Sequence, residues 1–238
     1  RPPAAELGAL REPLPDRRVR EHHLEVSRTA RYWTVGPADR ADELWFVLHG
    51  YRQLARRFLR RFEPIDDGRR LVVAPEALSR FYVSSGEGRH GAASVVGATW
   101  MTREDREHEI TDYVRYLDRL AERVRGGLAA PPGRVVVLGF SQGVATATRW
   151  VVHGSVRPDR LLLWGDFTPP DLDVERARGA LEGVDVVTVR GSEDPALSPR
   201  LAEEEAVRLA GAGVRVRPIR YEGGHDIDAE TLRALAEE

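Results

Sequence analysis

The sequence predicts an α/β protein with a mostly parallel central sheet and helices on both of its faces. Three observations lead there. From residue 44 onward, short apolar β-type runs alternate with helical patterns, the order that builds βαβ units. Several of those runs, such as Leu44–Leu48 and Val135–Phe140, are continuously apolar, as strands buried on both faces must be. The chain has 238 residues, a length that one such sheet and its helices can use in a single core.

Taken in order, residues 1–18 are rich in Pro and Arg and read as an N-terminal arm, leaving 19–238 as one domain. His22–Val35 holds two modest strand candidates joined near Arg28. Leu44–Leu48 is a strand, Leu54–Phe62 a short helix and Arg70–Ala74 the next strand. The Gly- and Ser-rich stretch after it has no clear period, so 76–100 is a candidate partial lid. Thr102 and Asp105 make a T-x-x-D start signal. A helix follows, with Ile110, Val114, Leu117, Leu120 and Val124 at helical spacing and Gly126-Gly127 at its end. Val135–Phe140 is a strand and Gln142–His153 a helix. Leu161–Trp164, Val184–Val189 and Val214–Tyr221 are further strands, with helices near 172–181, 198–210 and 228–237.

Composition narrows the chemistry. The chain has no cysteine and no lysine, so all 36 basic residues are arginine. That excludes disulfides, thiolate nucleophiles, cysteine-ligated metals, Schiff bases and a P-loop lysine. Net charge is −2 and the charges are mixed, which argues against a nucleic-acid partner. The basic run Arg56-Arg57-Phe58-Leu59-Arg60-Arg61 reads as the solvated face of a helix. No apolar run approaches the roughly 18 residues of a membrane span. A cytoplasmic location and a small-molecule substrate are expected, with monomer and dimer both open.

Gly139-Phe140-Ser141-Gln142-Gly143 fits G-x-S-x-G at the end of one strand and the start of a helix. That is the setting of a serine nucleophile held on a strained turn. The helix N-terminus there aims free N–H groups at the charge developing on a substrate oxygen. Serine needs a base, and His225 in Gly223-Gly224-His225-Asp226 follows the last strand. The base needs an acid: Asp194 follows the strand Val184–Val189, with Asp166 and Glu193 as rivals. The order Ser141, Asp194, His225 suits a hydrolase triad on a parallel sheet. The backbone N–H groups of Gln142 and of Tyr51, in the loop after Leu44–Leu48, are candidates for an oxyanion hole. His49 reads as a holder of that loop. Trp100, Met101, Trp164 and Phe167 are candidate pocket residues, with Tyr51, Phe81 and Tyr82 as further aromatics. No metal ligand set stands out, since His225-Asp226-x-Asp228 reads more simply as a loop entering a helix.

LHGYRQLA (48–55), GFSQG (139–143), GSEDP (191–195) and GGHDI (223–227) together resemble the phospholipase/carboxylesterase branch of the α/β-hydrolases, which includes acyl-protein thioesterases. The resemblance spans roughly residues 40–238. It implies the α/β-hydrolase fold, Ser141, Asp194 and His225 as the triad, Tyr51 and Gln142 as oxyanion donors, and ester or thioester hydrolysis without a cofactor. The expected activity is that of a serine carboxylesterase on short- to medium-chain esters. Alternatives are an acyl thioesterase or lysophospholipase, a peptidase or amidase, and an inactive binding protein of the same fold. Two departures stand out. Arg52-Gln53 replaces a pair that in the family is often Gly followed by an acidic residue. Trp164-Gly-Asp-Phe-Thr-Pro-Pro170 is bulkier than the small-residue turn usual there.

Overall fold

The computed structural model describes residues 19–83 and 90–238. The expected arm, 1–18, lies outside them.

Seven strands form one sheet: β1 (Tyr32–Val35), β2 (Glu43–Leu48), β3 (Arg70–Pro75), β6 (Arg134–Phe140), β7 (Arg160–Trp164), β8 (Asp185–Gly191) and β9 (Val216–Tyr221). Their spatial order is β1-β3-β2-β6-β7-β8-β9, and only β1 runs antiparallel to its neighbour. The remaining two, β4 (Ser79–Tyr82) and β5 (Val96–Thr99), pair as a separate antiparallel ribbon. This ribbon occupies the stretch expected to be a lid.

The continuous apolar runs are buried on both faces for a visible reason. In β2, Leu44, Phe46 and Leu48 face one core layer, while Trp45 and Val47 face the other, as a side-chain period of two requires. The first layer is closed by α2 (Arg106–Gly126), α3 (Gln142–His153), α4 (Val174–Ala180) and α5 (Pro199–Gly211). The second is closed by α1 (Ala55–Phe58), the 3₁₀ turn Leu59–Ile65 and α6 (Ala229–Glu237).

Three local expectations are corrected. The segment before Tyr32 is not a strand: β3 pairs β1 over four residues, and Leu24 and Val26 are exposed with no strand beside them. The helix expected over Leu54–Phe62 is α-helical only to Phe58 and then tightens into 3₁₀ geometry. Pro64 lacks an N–H and its ring would clash with an α-helical carbonyl four residues back. Helix α2 starts at Arg106, not at Thr102, and Asp105 is its N-cap with no side-chain cap bond. The T-x-x-D box therefore does not form. The Thr102 N–H is bonded instead by Glu109 Oε2 at 2.5 Å. The basic run behaves as expected, with its four arginines exposed and Phe58 buried between them.

The C-terminus of α6 is held from below by two buried arginines. Arg70 Nη2 donates to the Ala236 carbonyl at 2.5 Å and Arg160 Nη1 to the Leu235 carbonyl at 2.7 Å. These are last-turn carbonyls with no intrahelical partner, and cations there also favour the helix dipole. Arg160 also bonds Asp185 Oδ2 at 2.6 Å. Arg160→Met should destabilise the fold by about 2–3 kcal/mol, because it orphans a buried carbonyl and leaves the partly buried Asp185 carboxylate only its longer bond from Arg217 at 3.3 Å. In thermal unfolding followed by circular dichroism, this should read as a loss of about 5–10 °C in Tm. An unchanged Tm would show that α6 is not held this way.

Candidate active site

Ser141 stands between β6 and α3 at φ 54°, ψ −124°, a region L-residues occupy only when the surroundings force it. The surroundings are the two motif glycines. A Cβ on Gly139 would lie 2.2 Å from the Gly143 carbonyl oxygen, and one on Gly143 would lie 2.3 Å from that of Leu48. Strand, turn and helix pass too closely for any side chain at those positions. The turn is fixed further by Ser141 N–H donating to the Trp164 carbonyl at 2.9 Å.

The candidate base and acid arrive from neighbouring strand ends. His225 Nδ1 and Asp194 Oδ2 are 2.6 Å apart. The Asp194 carboxylate is fully buried, and its Oδ1 accepts from Ala196 N–H at 2.9 Å. Neither rival bonds His225 among the described residues. Glu193 is exposed and makes no bond to His225 among the described residues. Asp166 Oδ1 accepts the Phe167 N–H at 2.8 Å, and burial holds its carboxyl above the usual carboxylate range. The acid and base loops are bonded to each other, Ser192 N–H to the Tyr221 carbonyl and Glu193 N–H to that of Gly223, both at 2.9 Å. The His225 ring lies over Gly165, next to the Trp164 carbonyl that holds Ser141, and 5.0 Å centre to centre from Phe140. Ser141 and His225 make no direct hydrogen bond, a contact that commonly tightens only in the substrate complex.

Two residues brace His225 that sequence reasoning did not place there. Trp164 Nε1 donates to the Asp226 carbonyl at 2.8 Å. The Tyr221 hydroxyl lies 2.7 Å from the Gly224 carbonyl and 2.6 Å from that of Asp226. Both flanks of His225 are thereby gripped, and Arg61 pairs with the Asp226 carboxylate. Trp164 is fully buried in this role and Trp100 is 2 % exposed, its Nε1 on the His49 carbonyl at 2.8 Å. Neither presents surface to a substrate, which corrects both as pocket residues: a buried indole needs an internal acceptor, and each spends its face on packing. Met101 is half-buried against Arg149. Phe167 does face open space. It lines a cavity of about 320 Å³ with Asp194, Leu197, Leu209 and Ile219.

The loop after β2 shows what the Arg52-Gln53 departure does. Arg52 sits at φ 66°, the left-handed conformation a glycine adopts without cost. Its N–H bonds the Ala98 carbonyl at 3.0 Å, and Ala98 N–H returns to the Gln53 carbonyl at 3.2 Å. Gln53 Oε1 accepts the Gly50 N–H at 2.8 Å, a task open equally to a carboxylate oxygen. Gln53 went unassigned in the sequence; a side-chain acceptor three residues past a glycine was the available signal. Tyr51 N–H has no acceptor among the described residues. Gln142 N–H is the first of α3 and has no intrahelical acceptor. The Gln142 side chain ties the elbow to the end of β5, accepting Trp100 N–H at 3.1 Å and donating to the Met101 carbonyl at 3.0 Å.

The chain matches no protein-family model and no curated protein sequence. It is similar in shape to solved hydrolase structures. An acyl-protein thioesterase 2 from Zea mays superposes with a TM-score of 0.64 at 16% identity, over 88% of this chain and 97% of that one. A phospholipase/carboxylesterase from Dyadobacter fermentans gives 0.63 at 15%, over 90% and 97%. A carboxylesterase from Mesorhizobium loti gives 0.63 at 16%, over 87% and 94%. The chain has the α/β-hydrolase fold. Within that fold Ser141, Asp194 and His225 stand on the loops at the C-terminal edge of the sheet, where ligands of open α/β sheets collect. No helix among the described residues is long and apolar enough to cross a membrane.

His49 fixes the loop that carries Tyr51. Its Nδ1 donates to the Gly50 carbonyl at 2.8 Å and its Nε2 accepts Ala77 N–H at 3.1 Å. Both nitrogens are used only in the neutral tautomer. Burial accordingly lowers its pKa to about 4, against the opposing pull of the Gly50 carbonyl and Glu76. The unfolded chain protonates this group near pH 6.5, the folded one only near 4, so its contribution is full above 6.5 and is lost as pH falls to 4. The loss amounts to about 3 kcal/mol. Urea unfolding at pH 7 and pH 4.5 should show the wild type losing about 2–3 kcal/mol more than His49→Gln over that interval. Parallel losses would contradict a neutral, buried His49.

Proposed function

We propose that the protein is a serine hydrolase that cleaves carboxylic esters of short to medium acyl chain through an acyl-enzyme. The observation that carries this is the 2.6 Å Asp194–His225 bond beside a serine held at φ 54°. His225 takes the Ser141 proton as Oγ attacks the ester carbonyl. The negative oxygen of the tetrahedral intermediate is received by the N–H groups of Tyr51 and Gln142. Asp194 keeps Nδ1 protonated, so that Nε2 is the basic nitrogen, and offsets the charge that forms on the ring. Collapse expels the alcohol with the proton from His225. Water then repeats the sequence on the acyl-serine. The fold-mates named esterase, carboxylesterase and acyl-protein thioesterase support this class of reaction. A thioester passes through the same acyl-enzyme and is the second substrate class.

The cavity beside Asp194 has apolar walls of Phe167, Leu197, Leu209 and Ile219 and a volume of about 320 Å³, but neither Ser141 nor His225 lines it, so it is not assigned to the acyl chain. The β4–β5 ribbon is the candidate partial cover: Phe81 stacks on Tyr51 at 5.4 Å between ring centres.

Turnover of p-nitrophenyl esters tests the assignment. Asp194→Asn should lower kcat by about 10⁴-fold, as expected when the base is held in the wrong tautomer, whereas Asp166→Asn should stay within about tenfold of wild type. The reverse ranking would move the orienting acid to Asp166.

A further inference from the structure

Three side chains outside the Ser141 site converge where the N-terminal segment crosses the start of α2. His23 Nε2 lies 3.3 Å from Asp105 Oδ1, and His108 Nδ1 lies 2.6 Å from the same oxygen. The three donor atoms are all within 4.8 Å of one another. The two imidazoles stack with their centres 4.0 Å apart, and one nitrogen of each lies against the same carboxylate oxygen. Glu21 Oε1, 3.2 Å from His23 Nε2, brings a second carboxylate to the edge of the group.

Asp105 is turned toward this group at the expense of its local role. An aspartate at a helix N-cap normally accepts an N–H from the first turn. Here it makes no such bond and sits at φ 48°, with its carboxylate on the two imidazoles. The donor set is two imidazole nitrogens and a carboxylate oxygen, without a thiolate. That set suits a borderline divalent ion, Zn²⁺ above all, and not Mg²⁺ or Ca²⁺, which take oxygen shells. Bonds of about 2.0–2.1 Å in a tetrahedron put neighbouring ligand atoms about 3.3 Å apart. The His23–Asp105 pair already has that spacing, and His108 needs to withdraw by well under 1 Å, its proton passing to Nε2 or to water.

We propose that His23, Asp105 and His108 bind one Zn²⁺ ion, with Glu21 or water as the fourth ligand, and that the ion staples the N-terminal segment to α2. Its role is structural. The segment it would pin is otherwise attached by few groups, among them Glu25 on Arg115 at 2.7 Å and the Arg31 carbonyl on the Tyr116 hydroxyl at 3.2 Å. Zinc binding here is independent of the proposed esterase chemistry, which uses neither histidine.

The test uses the full chain without an affinity tag, stripped of metal, with Zn²⁺ as the probe in titration calorimetry. Wild type should take up one saturable equivalent. His23→Gln and His108→Gln should each weaken it at least tenfold, while His22→Gln and His153→Gln should leave it unchanged. In a second readout, Zn²⁺ should slow tryptic cleavage after the exposed Arg28 at least fivefold in wild type and not in His108→Gln. That variant alters α2, not the cleavage site, so a fold defect would show as faster cleavage without zinc. No saturable equivalent, equal loss in His22→Gln, or cleavage after Arg28 that ignores Zn²⁺ in wild type would overturn the proposal.

Discussion

The close passage of three backbone segments at Ser141 is the constraint on which the rest of the site depends. Gly139 and Gly143 admit the Gly143 and Leu48 carbonyls within 2.2 and 2.3 Å of where a Cβ would stand. That contact forces Ser141 into its strained conformation and sets the start of α3 directly behind it. Everything else is arranged around a fixed point. The loop after β2 is drawn against it by Gly50, whose own Cβ would lie 3.1 Å from that of Ser141. The last residue of β7 supplies the carbonyl that holds the serine N–H, and the loops that carry Asp194 and His225 close the ring. Strain at one residue is sustainable because the core layers above and below the sheet are buried and rigid.

The polar apparatus that holds this edge together is built from arginine, glutamine and aromatic donors rather than lysine or asparagine. Gln53 and Gln142 are the only two glutamines in the chain, and both tie backbone next to the candidate oxyanion donors. Arg70 and Arg160 bind α6 at the opposite edge of the sheet. A guanidinium can reach a carbonyl and a carboxylate at once, which an ammonium does less well. An all-arginine chain therefore loses nothing in such places.

Much of the fold was legible in the sequence because buried parallel strands announce themselves. Leu44–Leu48, Val135–Phe140 and Leu161–Trp164 are continuous apolar runs, and each is a central strand within a residue or two. The placement of Ser141, Asp194 and His225 at strand ends was legible from the strand pattern. What was not legible depended on partners far along the chain. His22–Arg31 carries strand-like residues but meets no strand edge. Asp105 has a capping residue's identity, yet its carboxylate is engaged by His23 and His108. Trp100 and Trp164 look the same in sequence whether they line a pocket or brace a loop. Only the carbonyls of His49 and Asp226 that receive their N–H groups decide it.

The central claim is that Ser141 is a nucleophile activated by His225. Reaction of the folded chain with a fluorophosphonate, followed by peptide mass mapping, tests it most directly. The account predicts one phosphonyl group per chain, on Ser141, with labelling slowed severely in His225→Ala. No label on the native chain, or a label on another residue at the same rate, would contradict it.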